Sequence, residues 1–164
     1  MSTSGYCIRR ATGADADAIV RHRVAIFRDM GILDERDAGT LAATSLTYFE
    51  DALPSGAYVG WVVEHGSELV GGGGLLVHRG LPRPDSLDGS DEGYLLNVFV
   101  EREHRRRGLA RSLTYVILAW CRERGVARVA LHASEDGRSL YESLGFCAVT
   151  NEMRLVLPRV RTSS

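Results

Sequence analysis

The stretch that decides the fold is VFVEREHRRRGLARSL, residues 98–113. Three apolar residues open it, a run of three arginines occupies its middle, and apolar residues at helical spacing follow Gly108. The first N–H groups of a helix have no intrahelical acceptor, and the helix dipole adds positive charge there. A buried strand that leads through a short basic loop into a helix therefore predicts a phosphate-binding loop, here at residues 105–110.

The three arginines also fit two other interpretations, a nucleic-acid interface and a solvated helix end. A nucleic-acid interface needs a broader basic face with aromatic residues between the charges, and here Glu101 and Glu103 flank the cluster instead. A solvated helix end needs nothing beyond the charges themselves. Gly108 favours the phosphate loop, because a residue without a Cβ lets the backbone approach a phosphate closely, and Ala110 keeps the first turn narrow. Guanidinium groups then add bidentate hydrogen bonds to phosphate oxygens.

Composition indicates one soluble globular domain. The chain has 164 residues, of which 45% are hydrophobic and 25% charged, a balance typical of a domain with its own core. A formal net charge of −1 argues against a general polyanion binder. All 20 basic residues are arginine, so no lysine is present to form a Schiff base. We predict a single domain over residues 1–164, with its core between residues 6 and 157.

The cysteines and the apolar segments indicate a location. Cys7, Cys121 and Cys147 are too widely spaced to suggest a zinc site or a disulfide framework, and the histidines show no metal-ligand spacing. The N-terminal segment lacks a signal-peptide core, and no window approaches the roughly 18 apolar residues of a membrane span. The sequence therefore predicts a cytoplasmic protein that needs no metal and binds neither membrane nor nucleic acid.

Periodicity around the opening stretch predicts an alternation of strands and helices. A nearly continuous apolar run at 94–100 predicts a central strand that is covered on both faces. Helical spacing at 109–124 and a β-branched run at 126–133 predict a right-handed crossover between two parallel strands. The other predicted elements are a strand at 6–11, a helix capped by Thr12 and ending near Met30, a helix at 36–51, strands at 57–64 and 68–78, a loop at 79–93, a helix at 137–144, and strands at 146–149 and 153–157.

These elements define a fold of the mixed α/β (α+β) class. The order β-α-α-β-β-β-α-β-α-β-β predicts a single twisted mixed sheet with helices on both faces. The two closing strands would leave sheet edges exposed, and exposed edges are commonly paired or covered. We therefore expect a homodimer.

Two motifs resemble a known family. Arg105-x-x-Gly108-x-Ala110, after a strand that ends in Val98-Phe99-Val100, resembles the (Q/R)-x-x-G-x-(G/A) signature of the GNAT superfamily of N-acetyltransferases. At the expected distance, LYESLGF at 140–146 resembles the L-Y-E-x-x-G-F run that closes the same site. The order of elements matches that family from residue 6 to residue 157.

The resemblance implies transfer of an acetyl group from acetyl-CoA to the amine of a small molecule, amino acid or peptide, by direct attack in a ternary complex. It implies that the pyrophosphate lies on the loop, that the pantetheine arm pairs with the strand, and that the thioester lies where this strand and the strand at 126–133 splay apart. The residues that it assigns to the cofactor are Val98, Phe99, Val100, Arg105, Arg106, Arg107, Gly108, Leu109, Ala110 and Ser134. A sensor of the same fold that binds acyl-CoA without turnover is the alternative.

Tyr141 is the candidate for acid catalysis. In the resemblance its phenol donates a proton to the leaving thiolate, although its spacing on the helix also fits a packing role beside Leu140 and Leu144. Ser134 stands where many family members have asparagine. Its hydroxyl can bind the cofactor or can cap the helix at 137–144.

No motif identifies the general base. Asn97 cannot accept a proton, but it can orient a water molecule or the thioester carbonyl. Four other residues are candidates for the base: His78, Glu64, Asp91 and His132. The first three can equally be solvated residues at strand ends or in loops, and His132 can be a hydrogen-bonded histidine of a strand.

Two further stretches have more than one interpretation. The four glycines at 71–74 lie inside a strand, so they predict a bulge or a close backbone approach rather than a nucleotide loop. The stretch FRDMGILDERD lies at the junction of the first two helices, where the family usually forms its acceptor wall. It carries acidic residues that can attract a cationic amine or be simply solvated; they are Asp29, Asp34, Glu35 and Asp37. No motif in residues 25–50 or in the loop at 79–93 identifies the acceptor.

Overall fold

A five-stranded sheet forms the frame of the computed structural model, which describes residues 5–149 and 152–157. The chain divides into two compact units, Met1–His132 and Ala133–Ser164, and the sheet belongs to the first. The elements of the first unit are β1 (Tyr6–Arg10), a 3-10 turn (Gly13–Asp15), α1 (Ala16–Asp29), α2 (Ala38–Ser55), β2 (Val59–His65), β3 (Glu68–Arg79), β4 (Asp91–Val100), a 3-10 turn (Arg102–His104), α3 (Leu109–Glu123) and β5 (Arg128–Leu131).

The strands lie in the sheet in the order in which they occur in the chain. The pairs β1–β2, β2–β3 and β3–β4 are antiparallel, whereas β4 and β5 are parallel. Parallel neighbours need a crossover connection, and α3 supplies it. The predicted mixed sheet and the predicted parallel pair are therefore confirmed.

Helices α1 and α2 cover one face of the sheet. Their buried residues form a core with two residues of the β2 region, Tyr58 and Val62. The ring of Phe49 on α2 packs edge-on against Tyr58, with 4.9 Å between ring centroids. This packing buries the apolar stripe that the helical spacing of α1 predicts.

Helix α3 covers the opposite face. Leu113 and Ile117 are completely buried, and Trp120 packs edge-on against Trp61 of β2, with 5.6 Å between ring centroids. The two faces explain why the apolar run of β4 is nearly continuous, since each face of this strand meets a helix.

A partly buried ion pair fixes the start of α1. Asp15 is 5% exposed and accepts two hydrogen bonds of 2.9 Å from the Arg9 guanidinium. Its carboxylate also accepts from the backbone N–H of Thr12 at 2.7 Å, which closes a capping box. The hydrogen bonds from Arg9 lower the pKa of Asp15 from its ordinary 3.8 to about 2. The cap predicted at Thr12 is therefore present, and Asp15 completes it.

The second unit contains α4 (Glu135–Ser143). The strands predicted at 146–149 and 153–157 are wrong, since neither range forms a strand in the described part of the chain. Their β-branched residues indicate extended chain, but a strand also needs a partner. Val149 and Val156, for example, are 71% and 83% exposed. The expected homodimer rested on the edges of these strands, so it stays a prediction without that support.

Two boundaries differ from the sequence prediction for local reasons. Helix α2 continues to Ser55 and ends where Gly56 adopts the left-handed conformation, with φ 78°. Strand β4 begins at Asp91, because its ladder with β3 extends to the pair Arg79↔Asp91.

No helix of the described residues is long and apolar enough to cross a membrane.

Candidate active site

The sheet opens between β4 and β5. The two strands pair from Glu92↔Arg128 to Leu95↔Leu131, and β4 then continues to Val100. Among the described residues, no strand pairs with the β5-side edge of β4 beyond Leu95. The backbone groups on that edge are left available to a ligand.

Strand alternation identifies those groups. The N–H of Glu101 donates to the carbonyl of Val70 on β3 at 2.9 Å, so Glu101 and Phe99 turn their backbone groups toward β3. Val98 and Val100 consequently face the opening. The carbonyl of Val100 already accepts a 2.8 Å hydrogen bond from Nε of Arg105. An extended ligand that carries amides can therefore pair with Val98 and with the N–H of Val100.

A β-bulge lies beside Val98. The β3–β4 register shifts between Gly72 and Gly74, and Asn97 adopts the left-handed conformation with φ 56°. Only glycine fits at position 74, because a Cβ there would overlap the ring of Tyr58. The prediction that the glycines of 71–74 mark a bulge and a close approach is confirmed.

Asn97 connects two side chains on the α1 face of the bulge. Its Oδ1 accepts a 2.8 Å hydrogen bond from Nη1 of Arg23 on α1, and its Nδ2 donates to the Tyr58 hydroxyl at 3.4 Å. Burial raises the pKa of Tyr58 to about 12, so this phenol stays protonated at neutral pH. A non-glycine residue with a left-handed backbone carries strain of about 1 kcal/mol or more, which is commonly found at functional sites.

The loop after β4 leads into the start of α3 through two residues with positive φ. Arg106 has φ 63° and Gly108 has φ 78°, and α3 begins at Leu109. The first backbone bond of the helix runs from the N–H of Ser112 to the carbonyl of Gly108 at 3.0 Å. The N–H groups of residues 109–111 therefore have no intrahelical acceptor. A Cβ built on Gly108 would point into open space.

The three arginines of this loop do not behave alike. Arg105 donates to Oδ2 of Asp29 at 2.7 Å, while Arg102 donates to Oδ1 of the same carboxylate at 2.7 Å. These hydrogen bonds, chiefly the one from Arg105, lower the pKa of Asp29. Arg106 and Arg107 are exposed and form no ion pair with the described residues. Their guanidinium groups are the ones free to reach a phosphate.

The candidate bases separate into two groups. Glu64 accepts from Arg9 at 2.6 Å, His78 lies 3.8 Å from Glu92, and Asp91 lies 3.6 Å from Arg79, so these three are paired away from the opening. His132 follows the last paired residue of β5, and its Nδ1 hydrogen-bonds the hydroxyl of Tyr94 on β4. Of the four, His132 alone lies where β4 and β5 separate.

In the second unit, Ser134 caps α4. Its hydroxyl oxygen accepts from the N–H of Gly137 at 3.2 Å, which is one of the two roles that the sequence leaves open. Its contact with a cofactor stays a prediction.

The LYESLGF motif has a clear local structure. The N–H of Phe146 donates to the carbonyl of Tyr141 at 3.1 Å, and the N–H of Gly145 donates to that of Glu142 at 3.0 Å. With φ 94° at Gly145 these bonds form a Schellman motif. The rings of Tyr141 and Phe146 pack edge-on at 5.8 Å. The glycine and the phenylalanine therefore fix the orientation of Tyr141, and burial raises the pKa of its phenol.

Sequence reasoning did not identify Arg23, Tyr58 or Tyr94 as site residues. Arg23 lies next to the apolar stripe of an ordinary amphipathic helix, and the sequence around the two tyrosines is typical of aromatic residues that pack in a core. The one available signal was the glycine run, since a bulge opposite it must turn a β4 side chain toward α1. No group of three or more potential metal ligands occurs among the described residues.

Comparison with known proteins gives one family. The acetyltransferase (GNAT) family matches residues 27–146. An uncharacterized N-acetyltransferase of Escherichia coli, YjgM, is 29% identical over 142 residues, which cover 85% of this chain and 80% of that protein. Human N-acetyltransferase 8 is 33% identical over 89 residues, which cover 52% of this chain but only 37% of the human protein.

Solved structures agree in fold. A GCN5-related N-acetyltransferase from Ralstonia eutropha superposes with a TM-score of 0.84 at 33% identity, covering 93% of this chain and 99% of that one. An acetyltransferase from Clostridium acetobutylicum, crystallised with acetyl-CoA, gives a TM-score of 0.80 at 23% identity, covering 92% and 96%. At the lower identity the likeness concerns the fold alone.

Proposed function

The chain belongs to the acetyltransferase (GNAT) family, a family of acyltransferases, and we propose that it transfers the acetyl group of acetyl-CoA to a primary amine. The acceptor is a small molecule, an amino acid or a peptide. One observation carries the proposal: the unpaired edge of β4 leads directly into the loop whose N–H groups have no intrahelical acceptor. This arrangement matches a ligand that joins an amide-rich arm to a pyrophosphate.

The residues present fit acetyl-CoA as the co-substrate. The carbonyl of Val98 and the N–H of Val100 supply an acceptor and a donor for the amides of the pantetheine arm. The N–H groups at 109–111 and the exposed side chains of Arg106 and Arg107 meet the pyrophosphate. Arg105 acts differently from its neighbours, because its side chain ties the loop to Val100 and Asp29.

The reaction is a direct displacement at the thioester carbonyl. The amine nitrogen forms a bond to the carbonyl carbon, and the carbon–sulfur bond breaks. Negative charge that develops on the carbonyl oxygen requires a donor, and the N–H of Val98 at the opening can provide it. The bulge at Asn97 is what separates this backbone group from the regular ladder.

Tyr141 donates the proton that the leaving thiolate needs. This role follows from the family motif, and two local observations support it. Burial raises the pKa of Tyr141, so the phenol keeps its proton at neutral pH. The Schellman motif and the contact with Phe146 hold its ring in one orientation.

Tyr94 and His132 remove the proton of the attacking amine. The Tyr94 hydroxyl hydrogen-bonds Nδ1 of His132 where β4 and β5 separate. The Tyr94 oxygen accepts a proton from the amine while its own proton passes to His132. A relay of this kind places the positive charge on the imidazole, the side chain best suited to carry it near neutral pH.

The test is turnover with purified protein, acetyl-CoA and a panel of primary amines, followed by free thiol and by the mass of the acceptor. We expect thiol release that depends on the amine and matches acetylated product. Tight acetyl-CoA binding without release for any amine would instead indicate the sensor. Salt-dependent retention of DNA or RNA would support the nucleic-acid interpretation, which the pairing of Arg102 and Arg105 with Asp29 weakens.

A cytoplasmic location and a homodimer are part of the proposal and rest on the sequence. Cys7 and Cys147 are exposed and free, which suits a reducing compartment. Sedimentation at tens of micromolar tests the dimer, and a species of 18.0 kDa alone would contradict it.

A further inference from the structure

We propose that Arg23 selects acceptors that carry a carboxylate, so that the substrate is an amino acid or another amine with one carboxylate nearby. This inference rests on the proposed acetyl transfer and names its acceptor class. The guanidinium would bind the carboxylate while the amine meets the thioester in the opening beside β4.

The position of Arg23 is the first argument. Its Nη1 donates to Oδ1 of Asn97 at 2.8 Å, and Asn97 directly precedes Val98, whose backbone faces the opening. Its guanidinium also lies over the ring of Phe27, 4.9 Å from the centroid. These two contacts hold a half-buried cation next to the point where the sheet opens.

The charge balance of Arg23 is the second argument. No carboxylate among the described residues forms an ion pair with its guanidinium, and Asn97 satisfies only one of its five N–H donors. A half-buried cation without an anionic partner is costly, because it loses hydration and gains no charge in return. A bound carboxylate would supply that charge.

The neighbouring acids do not compete for this role. Asp29 pairs with Arg102 and Arg105, Asp34 with Arg36, and Glu35 with Arg28. The alternative that these acids attract a cationic amine therefore loses its basis for all three. Asp37, the fourth acid, is exposed at the start of α2, whereas the charge of α1 that lies next to Asn97 is the positive charge of Arg23.

The chemistry favours a carboxylate over a phosphate. A single guanidinium with a free fork matches the two oxygens of a carboxylate and balances its one charge. A phosphate monoester carries up to two negative charges and would need a second cation, and the other two arginines of α1, Arg21 and Arg28, pair with Glu101 and Glu35.

The experiment compares acceptors that differ only in this group. The kcat/KM of α-, β- and γ-amino acids is measured beside that of their carboxamides, for the wild type and for Arg23→Gln. We expect the wild type to prefer at least one carboxylate by tenfold or more. In Arg23→Gln that preference should disappear because the KM for the carboxylate rises. The kcat/KM of the carboxamides and the acetyl-CoA affinity should stay within twofold of the wild type.

A control variant and a binding readout keep the test decisive. Arg21→Gln removes the same charge from a more exposed position of α1, 57% exposed, and should retain the preference. Equal rates for both acceptor forms in the wild type, a preference for amino-sugar phosphates, or equal losses for both forms in Arg23→Gln would each overturn the proposal. If no amine is acetylated, the proposed function fails, and calorimetry of the same ligand pairs on the CoA complex decides the role of Arg23.

Discussion

The guanidinium of Arg105 donates to the carboxylate of Asp29 at 2.7 Å, across 76 residues of sequence. Because Nε of the same side chain binds the carbonyl of Val100 at 2.8 Å, Arg105 ties the end of α1 to the end of β4. The start of the loop that leads to the N–H groups of residues 109–111 is thereby anchored to both elements. Phosphate binding should depend more on that backbone and on Arg106 and Arg107 than on the side chain of Arg105.

Gly108→Glu tests the loop. A carboxylate placed beside the N–H groups of residues 109–111 should repel a pyrophosphate, and we expect acetyl-CoA affinity to fall at least tenfold, about 1.4 kcal/mol. Calorimetry measures the affinity. Position 108 has φ 78°, so Gly108→Asn is the matched control, since asparagine tolerates this conformation and adds no charge. Equal affinities of both folded variants would contradict the assignment.

Tyr141→Phe tests the acid. The substitution removes the hydroxyl and keeps the ring contact with Phe146, so acetyl-CoA binding should persist while the chemical step slows about 10²-fold or more. Pre-steady-state thiol release with a good acceptor measures that step without interference from product release. Tyr115→Phe, at an exposed position of α3, should behave as the wild type. A near-normal rate in Tyr141→Phe would make Tyr141 a packing residue.

Tyr94→Phe tests the proton relay. The variant cannot pass a proton to His132, so kcat/KM should fall about tenfold or more near neutral pH. The deficit should shrink as the pH approaches the pKa of the acceptor amine, because a growing fraction of the amine is then already neutral and needs no deprotonation before it attacks. His132→Gln should give the same profile. Profiles that are lowered equally at every pH would point to altered packing instead.

Asp15→Asn tests the ion pair that fixes the start of α1. The folded pKa of Asp15, about 2, lies below its ordinary 3.8, so ionisation favours the folded state and its contribution is complete above about pH 5. We expect the variant to lose about 2 kcal/mol of unfolding free energy at pH 7. The difference from the wild type should shrink as the pH falls from about 5 toward 2.

Urea unfolding at several pH values measures this difference. Asp17→Asn is the control, since Asp17 is exposed in the first turn of the same helix and should change stability little. A loss that is independent of pH would show that Asp15 acts through packing.

Local patterns predicted most of the fold because each rests on short-range physics. The apolar periodicity of α1 and α3 specifies two helices, and the apolar run of β4 specifies a strand. The glycines at 71–74 specify a bulge. The strands at 146–149 and 153–157 were wrong because propensity indicates extended chain and does not supply a pairing partner.

The site was predicted only in part, for a similar reason. The loop at 105–110 and Tyr141 lie within motifs, so the sequence names them. The partnership of Arg23 with Asn97 joins residues 74 positions apart, and that of Arg105 with Asp29 is equally distant. Only the folded chain shows which arginines of a basic cluster are already neutralised.

The most direct test of direct acetyl transfer in the opening of β4 is a single-turnover experiment with acetyl-CoA labelled in its acetyl group. With enzyme in excess and an accepted amine present, rapid quenching followed by mass spectrometry locates the label over time. The account predicts that label appears on the amine nitrogen at the rate at which free CoA forms, with none on the protein at any time. Label that first accumulates on the protein, for example on Cys7 or Cys147, would contradict it, as would CoA formation without a labelled amine.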